Sequence, residues 1–181
     1  GPDGLINCTS PAGSVGSTGN PSGPNFTLSW TTVGGNFTSP TNGPTATIDA
    51  AGTYTLLITN TTNGCTDTDD VVVTDDFVPP AVDAGATSEL NCAQTSTVLQ
   101  GTGSAGANFS YLWTTSDGFI MSGANTLNPT VNADGTYNLF ISNLQNGCTS
   151  TDQVLITQNV NIPNSVIAAP TTLTCTLTNL N

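Results

Sequence analysis

Apolar and polar residues alternate in short runs along this chain, and no window carries a helical period. "TYTLLIT" (53–59) and "TYNLFIS" (136–142) are β-branched and aromatic runs of the kind that fits a pleated, half-buried surface. Each is followed by Asn-Gly and then by a second run, "DDVVVTDD" (69–76) or "DQVLITQN" (152–159). That order predicts two hairpins, because Asn and Gly both tolerate positive φ. "FTLSWTT" (26–32) and "FSYLWTT" (109–115) set Phe, Leu or Tyr, and Trp at alternate positions, hence on one face of a strand. Eleven Pro and nineteen Gly interrupt the chain too often for helices. Short strands with turn signals at roughly 8 to 12 residue spacing predict an all-β sandwich.

The pattern is written twice. Trp30 and Trp113, Tyr54 and Tyr137, and Cys65 and Cys148 are each 83 residues apart, while Cys8 to Cys92 is 84 and Cys92 to Cys175 is 83. A single-residue slip before Trp30 accounts for the difference. Such a period exceeds the roughly 20 to 50 residues of solenoid repeats, so each unit is expected to bury its own core. The predicted domains are 1–80, 81–164 and, at 165–181, the opening strand of a third repeat. Pro79-Pro80 stiffens the crossing between the first two.

Composition then narrows the partners. The chain has no Lys, Arg or His and twelve acids, a net charge of −12, where ordinary usage would supply on the order of twenty basic residues. With no cation to displace counterions from phosphate, nucleic acid is excluded as a partner. An anionic membrane surface is excluded on the same ground. No apolar run approaches the ~18 residues of a membrane span, so membrane insertion is not expected. Catalysis is not expected either. There is no His or Lys base, Glu89 is the one Glu, and no Ser sits in a G-x-S-x-G elbow.

The cysteines define a framework. Four of them allow three pairings, and the pairing that keeps each bridge inside one repeat is Cys8 with Cys65 and Cys92 with Cys148. One disulfide per domain is therefore expected, stapling each opening strand to the start of the last strand. Closing a loop of about 57 residues stabilises by roughly 4 kcal/mol in the chain-entropy model. Cys175 then finds its partner outside this chain. Zinc is a poor alternative without His or Cys-x-x-Cys spacing. Disulfides imply an oxidising, extracellular location.

Trp30 and Trp113 invite a sugar-stacking role, but apolar neighbours at i−2 (Leu28, Tyr111) and i−4 (Phe26, Phe109) put both rings on the core face. A buried strand tryptophan is a mark of immunoglobulin-like sandwiches. Tyr54 and Tyr137, each preceded by Gly-Thr, match the tyrosine corner of that architecture. These four residues are the predicted core anchors.

"GTYTLLITNTTNGCTDTDDVVVTDD" (52–76), "VDAG" and "LNC" near the repeat boundary, and "YLWTTSDG" (111–118) together resemble the tandem PKD-like or immunoglobulin-like repeats of very large secreted Bacteroidota proteins, including gliding-motility-type adhesins. That resemblance implies export by the type IX system, a cell-surface location, and a role in a filament, stalk or giant adhesin. Its expected partners are neighbouring repeats of the same chain and other filament chains.

Two further readings stay open at this stage. Asp67, Asp69, Asp70, Asp75, Asp76 and Asp83 crowd the first boundary, where oxygen ligands suit Ca²⁺; one repeat later only Asp69 keeps its carboxylate, as Asp152. No other cofactor is expected. Loops 34–43 and 116–126 differ between repeats while the strands match, so these loops are candidates for binding a surface glycan. The chain is expected to continue the same pattern beyond residue 181. In this reading "GPDGLINC" supplies the first repeat's own opening strand and leaves no vacancy there.

Overall fold

The computed structural model describes residues 3–167. The third-repeat strand expected at 165–181, with Cys175, falls from residue 168 onwards outside the described residues. Every regular element described is a strand. The first repeat contains β1 (Gly4–Asn7), β2 (Gly13–Gly16), β3 (Phe26–Val33), β4 (Thr45–Ile48), β5 (Gly52–Asn60) and β6 (Thr66–Asp76). One sheet has the order β1-β6-β5-β3, and β2 pairs with β4 in a second. The second repeat begins with β7 (Val82–Asp83), β8 (Ser88–Asn91), β9 (Thr97–Val98) and β10 (Thr102–Gly103), and continues with β11 (Phe109–Thr115) and β12 (Ile120–Ser122). It ends with β13 (Thr130–Val131), β14 (Gly135–Asn143) and β15 (Thr149–Asn159). Its main sheet, β11-β14-β15-β8, repeats the first. It is accompanied by β12-β13-β9 and by the pair β10-β7.

Alternation along the strands builds two cores. In β3 the residues Leu28 and Trp30 point inward, and in β5 Tyr54 and Leu56 do so, joined by Ile6, Val15, Ile48, Val71 and Val73. The second core gathers Leu90, Leu99, Trp113, Val131, Tyr137, Leu139, Ile141, Val154 and Ile156. The predicted anchors Trp30, Trp113, Tyr54 and Tyr137 are all buried. Each indole N–H finds an acceptor, Trp30 Nε1 on Gly43 O and Trp113 Nε1 on Thr126 O, both at 3.0 Å. The tyrosine hydroxyls close the corner, Tyr54 onto Ala50 O and Tyr137 onto Ala133 O. They accept in turn from Asn36 N and Phe119 N. Burying these polar tips without partners would cost on the order of 1 to 3 kcal/mol each.

The hairpins form, though by a different turn from the one Asn-Gly suggests. Asn60 N donates to Cys65 O and Gly64 N to Asn60 O, and the same pattern joins Asn143 to Cys148. Only the glycines, Gly64 (φ 74°) and Gly147 (φ 72°), take the left-handed conformation. Asn63 and Asn146 serve instead through their side chains, each Oδ1 accepting the N–H of the following cysteine.

The decisive feature for the cysteines is strand direction. β1 runs parallel to β6, with Asn7 opposite Asp76, and β8 runs parallel to β15, with Asn91 opposite Asn159. Cys8 and Cys92 therefore leave the sheet at the far end of the long strand from Cys65 and Cys148, which precede its first residue. Eleven residues of extended chain put roughly 30 Å between those ends. A disulfide needs Cα atoms within about 7 Å.

Candidate functional site

The expected bridges Cys8–Cys65 and Cys92–Cys148 do not form. Cys8 bonds to Cys148 instead, with Cα atoms 5.0 Å apart and a sequence separation of 140. The sheet register explains the correction: the end of β1 lies at the pole of the first repeat that meets the hairpin of the second. Among the described residues there is one disulfide, and it joins the repeats rather than lying within either. Cys65 and Cys92, the equivalents of Cys148 and Cys8, are free and exposed.

Around this bond the hairpin turn of the second repeat is clasped by the first. Asn146 is the one polar side chain buried among the described residues, 2% exposed. Its Nδ2 donates to Asp76 Oδ1 at 2.9 Å and to Val78 O at 3.0 Å. Its Oδ1 accepts Cys148 N, and its backbone oxygen accepts Thr9 N at 3.2 Å. A Cβ placed on Gly147 would overlap Thr9 Oγ1. Only glycine meets both that approach and the positive φ. Thr9, Val78 and the docking role of Asn146 and Gly147 were not expected from the sequence, and Asp76, expected as a calcium ligand, instead accepts a hydrogen bond from Asn146. The repeated Asn-Gly-Cys triplet was the available signal, and it specifies a docking turn as well as a hairpin.

The linker contributes a second contact. β7 pairs antiparallel with β10, and Ala84 N donates to Asp152 Oδ2 at 2.7 Å. Ala84 and Val82 pack into the second core. Ala81 is held at both ends by Ser104, its N–H on Ser104 Oγ and its oxygen accepting Ser104 N, each at 3.0 Å. The crossing between repeats is thus one strand of the second sandwich.

The six boundary aspartates are not brought together. Among the described residues no three acidic, cysteine or histidine side chains converge as a metal site would need. Five of the six lie along β6, whose extension separates Asp67 from Asp76 by roughly 30 Å. Several carboxylates are engaged locally: Asp67 Oδ1 accepts Thr68 N, Asp76 Oδ1 accepts Asn146 Nδ2, and Asp83 Oδ1 accepts Gly85 N. The calcium expectation at Asp67, Asp69, Asp70, Asp75, Asp76 and Asp83 is corrected accordingly.

The two variable loops differ in what they present. In the first, Phe37 turns inward and meets the Tyr54 ring edge-on at 5.2 Å. In the second, Phe119 stays 59% exposed beside exposed Met121. No helix among the described residues is long and apolar enough to cross a membrane.

No protein-family model and no curated protein matches the sequence. Solved structures with a similar course of chain are tandem-domain proteins. A three-Ig-domain segment of titin is 15% identical with TM-score 0.39, covering 88% of this chain and 62% of that one. Extracellular domains 3–5 of Drosophila OTK are 17% identical with TM-score 0.42, covering 87% and 59%. The three N-terminal domains of the Hoc outer capsid protein of bacteriophage RB49 are 17% identical with TM-score 0.41, covering 86% and 56%. The chain spans less than two thirds of each of these structures.

Proposed function

We propose that this chain is a non-enzymatic structural segment of an extracellular bacterial surface filament, stalk or giant adhesin. In this reading residues 1–80 and 81–164 are its sandwich domains, and 165–181 opens the next. The observation that carries the proposal is the Cys8–Cys148 bond across the joint. Tension applied at the two ends of the chain enters through β1, crosses the bond at Cys8, and leaves through β15. The chain enclosed by the bond, residues 9–147, is bypassed and cannot be drawn out while the bond is intact. A secreted, acidic, cation-free surface of Thr, Ser and Asn suits such a spacer, and trypsin-like proteases find no Lys or Arg to cut.

Single-molecule stretching tests this. Each extended residue contributes about 3.5 Å, so reduction should release on the order of 45 to 50 nm of additional length. Equal extension with and without reductant would overturn the load-bearing reading.

A second reading is favoured by one observation, the exposed Phe119 ring in loop 116–126. A flat aromatic face suits stacking on a sugar, and in that reading the segment is also an adhesin module for surface glycans. Loss of glycan-array binding in Phe119→Ala would support it, and an array blank for the unaltered chain would remove it.

A further inference from the structure

On the outer face of the short-stranded sheet the two repeats differ position for position. In the second repeat β9, β13 and β12 run side by side there, with Val98 opposite Thr130 and Thr130 opposite Ser122. In the first repeat the same places pair Ser14 with Thr47, so the register itself fixes the equivalence. Asn36, Thr38 and Asp49 of the first repeat correspond to Phe119, Met121 and Asn132 of the second, each 83 residues on. The first-repeat side chains satisfy one another: Asn36 Nδ2 donates to Asp49 Oδ1 at 2.7 Å, and the Thr38 and Thr47 hydroxyls share a hydrogen bond of 2.8 Å. In the second repeat Val98, Phe119 and Met121 replace Ser14, Asn36 and Thr38, and the amide Asn132 replaces the acid Asp49. The resulting strip is uncharged and bare, with Phe119, Met121 and Val98 exposed by 59%, 54% and 46%. The fold does not require these apolar side chains, because the first repeat pairs the same strands with polar ones.

The strip is also held in place from beneath. Ile120 packs against the core, so Phe119 and Met121 on either side of it face outward. Phe119 N donates to the buried Tyr137 hydroxyl at 3.0 Å, and Phe119 O accepts Asn132 N at 3.4 Å, which anchors the backbone under the ring. A register shift between Ile120 and Ser122 re-aims Met121, as bulges beside binding sites do. Around these apolar groups the side chains of Ser122, Thr130 and Asn132 have no hydrogen-bond partner among the described residues. An apolar strip edged by free hydroxyl and amide groups matches a ligand that has an apolar face and a rim of hydroxyls.

We propose that this strip is a binding site for a neutral polysaccharide. Phe119 stacks on the apolar face of one sugar ring, Met121 and Val98 extend the platform, and Asn132, Thr130 and Ser122 meet the sugar hydroxyls. Charge and size both select this ligand. The chain carries twelve acids and no cation, so uronic-acid or sulfated polymers are repelled with no ion pair to compensate. From β12 to β9 is two inter-strand steps, about 10 Å, the length of about two pyranose rings. So narrow a strip offers far less than the roughly 800 Å² per partner that a stable protein interface buries. The inference rests on the glycan reading above, and it names the ligand class and the residues that hold it.

The test uses the full chain on an array that carries neutral polysaccharides (glucan, mannan, xylan and galactan) beside acidic ones (polygalacturonate, alginate and heparin). Binding is expected to at least one neutral polymer and to none of the acidic ones. The Val98→Ser/Phe119→Asn/Met121→Thr variant carries the residues that the first repeat places on this face. It should keep a folded circular dichroism spectrum while its affinity for the bound polymer falls by about tenfold or more. Met121→Thr alone, one exposed position, should weaken binding severalfold. Binding to the acidic polymers, or loss of binding with Phe119→Ala but none with Met121→Thr, would overturn the inference and leave the glycan reading standing. A blank array, or binding that the triple variant leaves unchanged, would overturn both. A concentration-dependent dimer in sedimentation, abolished by the triple variant, would assign the strip to a second copy and overturn the inference as well.

Discussion

Replacing Cys8 and Cys148 together by serine should destabilise the chain far more than replacing Cys65 and Cys92 together. The bond spans both repeats, and whichever repeat opens first, the intact bond holds about 70 residues of its unfolded chain in a closed loop. The chain-entropy model makes that closure worth about 4 kcal/mol. For a repeat of this size, 1 kcal/mol moves the melting temperature by roughly 4 to 8 °C. The Cys8→Ser/Cys148→Ser variant should therefore melt on the order of 20 °C lower. The Cys65→Ser/Cys92→Ser variant changes two exposed thiols that form no disulfide among the described residues, and surface changes of that kind stay within about 0.5 kcal/mol. Scanning calorimetry of both double variants, without reductant, reads the difference directly. Bridges inside each repeat would make the two variants equivalent, since each would then break both bonds. Equal melting temperatures would thus refute the reasoning from the parallel strand.

Asn146→Ala removes two hydrogen bonds to the first repeat and one within its own turn, and should cost about 1 to 3 kcal/mol by urea midpoint; Asn63→Ala, in the exposed counterpart, should cost less than 1 kcal/mol on the same scale. Tyr137→Phe strips the partner from Ala133 O and Phe119 N and should lower stability by about 1 to 3 kcal/mol in the same assay. Calcium at millimolar concentration should leave the melting temperature within about 1 °C of its value in chelator, since a ligand stabilises only through a site on the native state.

Most of the scaffold was legible because alternation and landmark spacing are local signals. The runs around Trp30, Tyr54, Trp113 and Tyr137 specify strand, face and core together, and they fold as those patterns require. The cysteine pairing was not legible. Ile6 in β1 and Leu90 in β8 point inward whether their strands run parallel or antiparallel to the long strand beside them, so periodicity carries no information about direction. Direction alone decides which pole Cys8 and Cys92 reach. The aspartates misled for a related reason: proximity along a strand is distance in space, because an extended chain advances about 3.3 Å per residue. The linker strand that packs into the second core was not legible either. In the second repeat β7 counts two residues and has almost no pattern of its own.

Disulfide mapping of the oxidised chain tests the central claim most directly. Trypsin has no site in a chain without Lys or Arg, so digestion with pepsin in acid, where thiol exchange is suppressed, is the appropriate cut. Mass spectrometry should find a peptide containing Cys8 joined to one containing Cys148. Peptides joining Cys8 to Cys65 and Cys92 to Cys148 would contradict the account.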